Sequence, residues 1–200
     1  MICLNSCRKT TIGFVVLILA LAAGIAIGLS RRPATMTSPD PSAIPAQAIT
    51  ALFAARLPDK HGAVRRIGEW EGKTLVANFW AAWCQPCREE MPAFSRLQEK
   101  HAGNNVQFVG IAVDNLKNVA EFSEKVTVGY PLLIAEIEGG ELMRQLGNTS
   151  MGLPYTLVIA PTSKASLAHL GKLPEARLDG LLQDIAKGSG PTHSGQRPAN

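Results

Sequence analysis

Two cysteines, Cys84 and Cys87, enclose Gln85 and Pro86 and directly follow Trp83. Cysteines three residues apart on the first turn of a helix face the same way, so they can close and reopen a small disulfide. The unpaired N–H groups and the positive end of the helix stabilise the thiolate of the first cysteine. The second lies further into the helix, where it can resolve a mixed disulfide. The pattern predicts thiol–disulfide exchange, with Cys84 as nucleophile and Cys87 as resolving thiol.

Three other interpretations of the cysteine pair stay open from the residues alone. A structural disulfide would be expected to join distant segments, and a chance pair can occur in a core helix. A zinc site needs two more ligands, and the chain has no second cysteine pair and no close histidine pair. The histidines are isolated at His61, His101, His169 and His193. We therefore predict no metal and no organic cofactor.

A glutamate, Glu90, falls on the apolar stripe of the helix predicted over residues 84–101. The stripe consists of Cys87, Met91, Phe94, Leu97 and Gln98. A carboxylate there is costly without a task or a partner, and poor solvation raises its pKa. Glu90 is therefore a candidate to titrate together with the cysteines and to exchange a proton with Cys87. The alternative is a rim residue whose carboxylate reaches water.

Strands alternate with helices along the chain, which indicates an α/β sheet. Residues 74–80 form a continuous apolar run, typical of a strand buried on both faces. Further strands are predicted over residues 106–113, 131–134, 155–160 and 166–170. Further helices are predicted over residues 119–125, 141–146 and 175–187. A short hairpin is predicted from residues 49–57 and 63–67, around a polar turn.

The positive net charge of +4 is confined to the N-terminal region, where Arg8, Lys9, Arg31 and Arg32 flank residues 12–29. The remainder of the chain is neutral, which excludes a basic face for nucleic acid. Residues 12–29 are apolar, and as a helix they would be about 27 Å long, close to the thickness of a bilayer core. We predict a membrane anchor, with a cleaved signal segment as the alternative.

The domain organisation follows from these segments. Residues 1–11 are a short N-terminus, weakly favoured as cytoplasmic by the basic residues, and residues 12–29 are the anchor. Residues 30–48 are a proline-rich linker, and residues 49–187 are the compact domain. Residues 188–200 are predicted to be disordered.

Two stretches resemble the thioredoxin superfamily, and more closely its membrane-tethered TlpA/ResA-like thiol-disulfide oxidoreductases. Residues 76–92 read VANFWAAWCQPCREEMP, and residues 152–156 read GLPYT. The resemblance covers residues 49–187. It implies a thioredoxin-like fold, with a central mixed sheet flanked by helices, an N-terminal hairpin and a central insert over residues 121–146, preceded by one transmembrane helix.

The resemblance also implies roles for individual residues. Pro154 matches a cis-proline that lies opposite the cysteine pair, and Glu90 matches a glutamate that tunes the cysteines. The residues expected to contact a client are Trp83, Gln85, Pro86, Leu153 and Pro154. Asn78 stands where cytosolic thioredoxins carry a buried aspartate. Tyr155 stands where a small hydroxyl residue is common, which bears on client specificity.

The expected function is that of a membrane-tethered reductase of disulfides in exported proteins, with a role in cytochrome c maturation or metal-site assembly. The expected partners are client proteins and a membrane thiol–disulfide electron donor. The expected location is the bacterial inner membrane, with the domain in the periplasm. The alternatives are a disulfide oxidase or isomerase, and a non-catalytic tethered module that binds a client or copper.

Overall fold

The computed structural model describes residues 38–162 and 164–188, and its centre is a five-stranded mixed sheet. The strands are β3 (Thr74–Trp80), β4 (Val106–Ala112), β5 (Leu132–Ile134), β6 (Tyr155–Ile159) and β7 (Ala165–Leu170). Their order across the sheet is β5-β4-β3-β6-β7. The β3, β4 and β5 strands are parallel, whereas β6 is antiparallel to β3 and β7 is antiparallel to β6. This mixed α/β architecture confirms the predicted sheet.

Helices cover both faces of the sheet. They are α1 (Ala46–Ala54), α2 (Gln85–His101), α3 (Leu116–Lys125), α4 (Glu136–Gln145) and α5 (Glu175–Ala186). The α1 and α4 helices contribute buried side chains to one core layer, and α2, α3 and α5 contribute to the other. The central strand β3 is buried along its whole length, as a strand enclosed by two helical layers must be.

The predicted N-terminal hairpin is only partly correct. Residues 49–54 belong to helix α1, and the hairpin is limited to β1 (Arg56–Pro58) and β2 (Val64–Arg66). The buried side chains of α1 are Ala48, Ile49, Leu52 and Phe53. Their spacing places them on one face of a helix. A short apolar run does not by itself distinguish a helix from a buried strand, which explains the error.

Helix α4 is longer than the predicted turn over residues 141–146, because it begins at Glu136. Gly139 and Gly140 lie within it, and glycine disfavours helix in isolation. Both glycines are buried, and a Cβ on Gly140 would lie 2.6 Å from the Cε of Met151. Close packing against a neighbouring loop therefore overrides the local preference.

Residues 38–48, predicted as the end of a linker, pack on the domain. The backbone N–H of Leu170 in β7 donates a hydrogen bond to Ser38 Oγ at 3.0 Å. A short 3₁₀ turn, Pro41–Ala43, begins at Asp40, whose side chain accepts a hydrogen bond from the backbone N–H of Ser42.

The remaining terminal predictions lie outside the described residues. These are the segments 1–11, 12–29, 30–37 and 189–200, together with Cys3 and Cys7. Across residues 38–162 and 164–188, no helix has the length and apolar character needed to cross a membrane.

Candidate active site

Cys84 and Cys87 form a disulfide where β3 gives way to α2, with their Cα atoms 5.3 Å apart. Cys84 is the N-cap of α2, and its Sγ accepts a hydrogen bond from the backbone N–H of Cys87 at 3.3 Å. Cys84 is 5% exposed, whereas Cys87 is fully buried. An incoming sulfur can therefore reach Cys84 more easily than Cys87, in agreement with the predicted asymmetry.

Exposed side chains surround the outer cysteine. The indole of Trp83 is 70% exposed, and Gln85 and Pro86 are also exposed. The peptide bond between Leu153 and Pro154 is cis, as predicted. The sheet pairs Phe79 with Tyr155, so Pro154 lies beside the end of β3, the strand that leads to the cysteines.

The loop before β6 is held in place by a buried amide. Asn148 is 1% exposed, and its Nδ2 donates a hydrogen bond to the backbone oxygen of Gly152 at 2.8 Å. Ser150 Oγ donates to Asn148 Oδ1 at 3.0 Å. Asn148 thereby fixes the backbone two residues before Pro154, a role that its sequence position did not reveal.

Glu90 lies on α2 three residues after Cys87, and it is buried, with only 2% of its surface exposed. Asn78 Nδ2 donates to its Oε1 at 2.9 Å, and the backbone N–H of Leu173 donates to its Oε2 at 3.0 Å. Burial raises the pKa of Glu90 to about 7, although both hydrogen bonds and the charge of Lys172 act in the opposite direction. The alternative of a rim carboxylate reaching water is wrong, because Glu90 is buried.

Asn78 connects Glu90 to the neighbouring strand. Its Nδ2 also donates to Thr156 Oγ1 at 3.0 Å, while its Oδ1 is buried without a hydrogen-bond partner among the described residues. An amide carries donors on one side and an acceptor on the other. Turning the amide over would present Oδ1 to a protonated Glu90. Asn78 can therefore pair with either protonation state of the glutamate without itself gaining or losing a proton, which an aspartate at this position could not do.

A second carboxylate, Asp114, holds the loop that leads to Cys84. It lies just after β4 and is 8% exposed. Its Oδ2 accepts a hydrogen bond from the backbone N–H of Ala82 at 2.9 Å. Its Oδ1 accepts from the backbone N–H of Asn115 and from Asn118 Nδ2. The sequence predictions missed Asp114, although an acid directly after a buried strand was an available signal.

Two residues near the site have structural roles. The neighbouring Glu89 is exposed, and a hydrogen bond from Lys172 Nζ lowers its pKa, so it is a solvated charge as predicted. Tyr155 faces the layer opposite the cysteines, where its hydroxyl donates to the backbone oxygen of Leu146 at 2.5 Å. Tyr155 is therefore a core residue and not part of the client surface.

The cysteine pair can itself accept and release two electrons. In the residues that the structure describes, no group of three or more His, Cys, Asp or Glu side chains is placed to hold a metal ion. A disulfide at the start of a helix, a buried carboxylate behind it and a cis-proline beside it define a thioredoxin-like redox site.

Comparison with known proteins agrees with this class. Residues 49–166 match the AhpC/TSA family, and the chain belongs to that family. It is 30% identical over 124 residues to thiol-disulfide oxidoreductase ResA of Oceanobacillus iheyensis, a match that covers 60% of this chain and 62% of that protein. It is 32% identical over 131 residues to ResA of Geobacillus kaustophilus, covering 64% of this chain and 72% of the relative.

A solved structure shows the same fold. The thiol:disulfide interchange protein of the thioredoxin family from Chlorobium tepidum TLS is 25% identical, with a TM-score of 0.59. The match covers 77% of this chain and 99% of that one. The resemblance to ResA-type thiol-disulfide oxidoreductases is thereby confirmed. These relatives and the Cys84–Cys87 pair support protein disulfide oxidoreductase activity.

Proposed function

We propose that the protein reduces disulfides in client proteins. The thiolate of reduced Cys84 attacks one client sulfur, which forms a mixed disulfide and releases the other client sulfur as a thiolate. The thiolate of Cys87 then attacks Cys84 Sγ, which releases the client's second thiol and closes the Cys84–Cys87 disulfide. Two electrons pass to the client. A dithiol donor returns the pair to its reduced form and is itself oxidised to a disulfide.

The buried carboxyl of Glu90, one helical turn beyond Cys87, is the observation that supports reduction as the direction of exchange. Residues three apart on a helix are neighbours, so a negative charge on Glu90 disfavours a thiolate on Cys87. A pair whose reduced form is strongly stabilised is an oxidant. Destabilising the reduced thiolate therefore moves this pair towards the reductants.

Glu90 also suits proton exchange with Cys87. Its pKa of about 7 means that both protonation states are populated near neutral pH. Cys87 must lose its proton before it attacks Cys84, and in the fully buried position of Cys87 a nearby acceptor is needed. We assign catalytic roles to Cys84, Cys87 and Glu90.

The client surface in this proposal consists of the exposed side chains beside Cys84 and the loop that carries the cis-proline. Its members are Trp83, Gln85, Pro86, Leu153 and Pro154. The exposure of the first three residues supports this assignment, as does the half-buried position of Leu153.

The proposed location is the bacterial inner membrane, with residues 12–29 as a single span and the domain in the periplasm. The apolar character of that segment and its basic flanks support the proposal. The electron donor is then a membrane thiol–disulfide protein, and the clients are exported proteins, including those matured as cytochromes c or assembled with metals. A reporter active only outside the cytoplasm, fused after Lys187, should be active. Activity of a cytoplasm-only reporter instead would contradict this topology.

The reduction potential of the Cys84–Cys87 pair tests the direction of exchange. The full chain with Cys3→Ser and Cys7→Ser is equilibrated in dithiothreitol redox buffers, and its thiols are then counted by alkylation. We expect a value near that of thioredoxin, about −270 mV. A value near that of a strong oxidant, about −120 mV, would reverse the direction. Absence of catalysed insulin reduction by the same protein would favour a binding module.

A further inference from the structure

The exposed apolar side chains of the described residues are concentrated at one edge of the sheet. Five large apolar residues in this part of the chain are exposed, with exposed fractions of 42–89%. Four of them lie at strand ends on the edge that carries the disulfide: Trp83 after β3, Leu116 after β4, Ile137 after β5 and Met151 before β6. The fifth, Val64, lies on the β1–β2 hairpin. Apolar side chains exposed at the same edge as the reactive disulfide are available to contact a bound client.

Ile137 on helix α4 and Met151 in the loop before β6 are both exposed, and we name this pair the α4 ledge. Ile137 is 89% exposed, the largest value among these residues. Gly140 lies three residues later on the same helical face, and Met151 packs directly over Gly140. Met151 therefore lies within about one helical turn of Ile137. Met151 also precedes Pro154 by three residues, so the α4 ledge is next to the cis-proline loop along the chain.

The α4 ledge and the reactive sulfur follow strands that end at the same edge of the sheet. Strand β5, which leads into α4, is two positions from β3, which leads to Cys84. Adjacent strands are about 4.8 Å apart, so the two strand ends are separated by about 10 Å. An extended chain rises about 3.3 Å per residue, so about three residues span this distance. A client whose cysteine meets Cys84 can thus place a side chain near Ile137.

The surroundings of the α4 ledge are acidic. Glu136 and Glu138 flank Ile137, both are exposed, and neither forms an ion pair with another described residue. The nearest paired acid on α4 is Glu141, which binds Arg144. A basic client residue next to the apolar one would therefore find complementary charge.

We propose that the α4 ledge is a second binding point for extended client polypeptides and selects the disulfides that are reduced. The preferred client carries an apolar residue about three positions from the attacked cysteine, with a basic residue beside it. This proposal rests on the proposed disulfide-reducing function. A small disulfide cannot reach the α4 ledge and gains nothing from it.

The test uses the reduced full chain and synthetic peptides, each with one internal disulfide. The peptides carry Leu or Ser three positions before or after a cysteine, followed by Lys or Glu. We expect the best Leu-Lys peptide to be reduced about five- to ten-fold faster than its Ser-Glu counterpart, as partial burial of one apolar side chain allows. Ile137→Ser should bring the Leu-to-Ser ratio close to one. The Glu138→Lys chain should reduce the peptides that carry Glu faster than those that carry Lys.

Val64→Ser provides the matched control, because it removes an exposed apolar side chain outside this edge and should leave every ratio unchanged. Equal rates for all peptides with the wild-type chain would overturn the α4 ledge proposal, as would ratios that persist in Ile137→Ser. The small aromatic disulfide dithiobis(nitrobenzoate) separates the two hypotheses. If the reduced chain consumes it but does not discriminate between peptides, only the α4 ledge fails. If it reduces neither, the proposed function fails.

Discussion

The two faces of strand β3 differ in a way that separates folding from chemistry. The face towards α1 carries only apolar side chains, Leu75, Ala77 and Phe79. The face towards α2 carries Asn78 between Val76 and Trp80, and Asn78 binds the buried Glu90. Burying a carboxylate costs free energy, whereas burying apolar groups stabilises the fold. The buried carboxylate of Glu90 and the amide of Asn78 lie in the layer that contains the cysteines. This position indicates that the two polar groups serve the reaction.

The largest expected effect comes from the two cysteines. Cys84→Ser should abolish disulfide exchange, because the attacking thiolate is lost. Cys87→Ser should retain the attack and accumulate mixed disulfides that cannot resolve. Non-reducing gels and mass spectrometry of the trapped species distinguish the two variants. If the Cys84→Ser chain traps clients and the Cys87→Ser chain does not, the roles of the two cysteines are the reverse of those assigned.

A change on the α1 face of β3 should affect stability alone. Phe79→Ala leaves a cavity in a fully buried site and should lower the free energy of unfolding by about 3–5 kcal/mol. Denaturant titration measures this loss. In the fraction that remains folded, the pH dependence of cysteine alkylation should match that of the wild type. A shifted alkylation profile would show that the two faces are not separable.

Glu90 should make stability depend on pH. The folded chain holds the Glu90 proton up to a pKa of about 7, whereas the unfolded chain loses it near 4.5. Stability should therefore fall as pH rises from about 4.5 to about 7, by about 3 kcal/mol. Glu90→Gln should remove this fall, and denaturant titrations of the oxidised chain across pH measure it. Glu89→Gln is the matched control, since Glu89 is exposed. A fall that persists in Glu90→Gln would assign it to another group.

The smallest effect is expected from the carboxylate that holds the loop before Cys84. Asp114→Asn leaves one acceptor oxygen where two are used, so the hydrogen bond to Ala82 or those to Asn115 and Asn118 must be lost. We expect exchange to slow several-fold, consistent with a loss of about 1 kcal/mol. Asn118→Ala removes only the contact away from the loop. If it slows exchange as much as Asp114→Asn, the Ala82 contact is not responsible.

The sequence predicted the features that depend on local spacing. The cysteine pair, the helix behind it and the position of Glu90 on the buried stripe follow from helical periodicity. The cis-proline was predicted from the family resemblance, since spacing alone does not reveal it. The buried strand β3 followed from its continuous apolar run.

Features that depend on distant contacts could not be predicted in the same way. The backbone N–H that binds Glu90 belongs to Leu173, which is 83 residues away in the chain. Asp114 acts on a loop 32 residues earlier, across two neighbouring strands. Tertiary contacts determine both of these features. Residues 49–54 were misassigned for a different reason: their apolar spacing fits a helix, but the short run was interpreted as a strand.

The central claim is that the buried Glu90 controls the thiols beside it. Its most direct test is the alkylation rate of the cysteines across pH in the reduced wild-type chain, in Glu90→Gln and in Glu89→Gln. We predict that Glu90→Gln lowers the apparent thiol pKa, because removing a buried negative charge favours the thiolate, while Glu89→Gln follows the wild type. Coincident curves for all three chains would contradict the claim and leave Glu90 with a purely structural role.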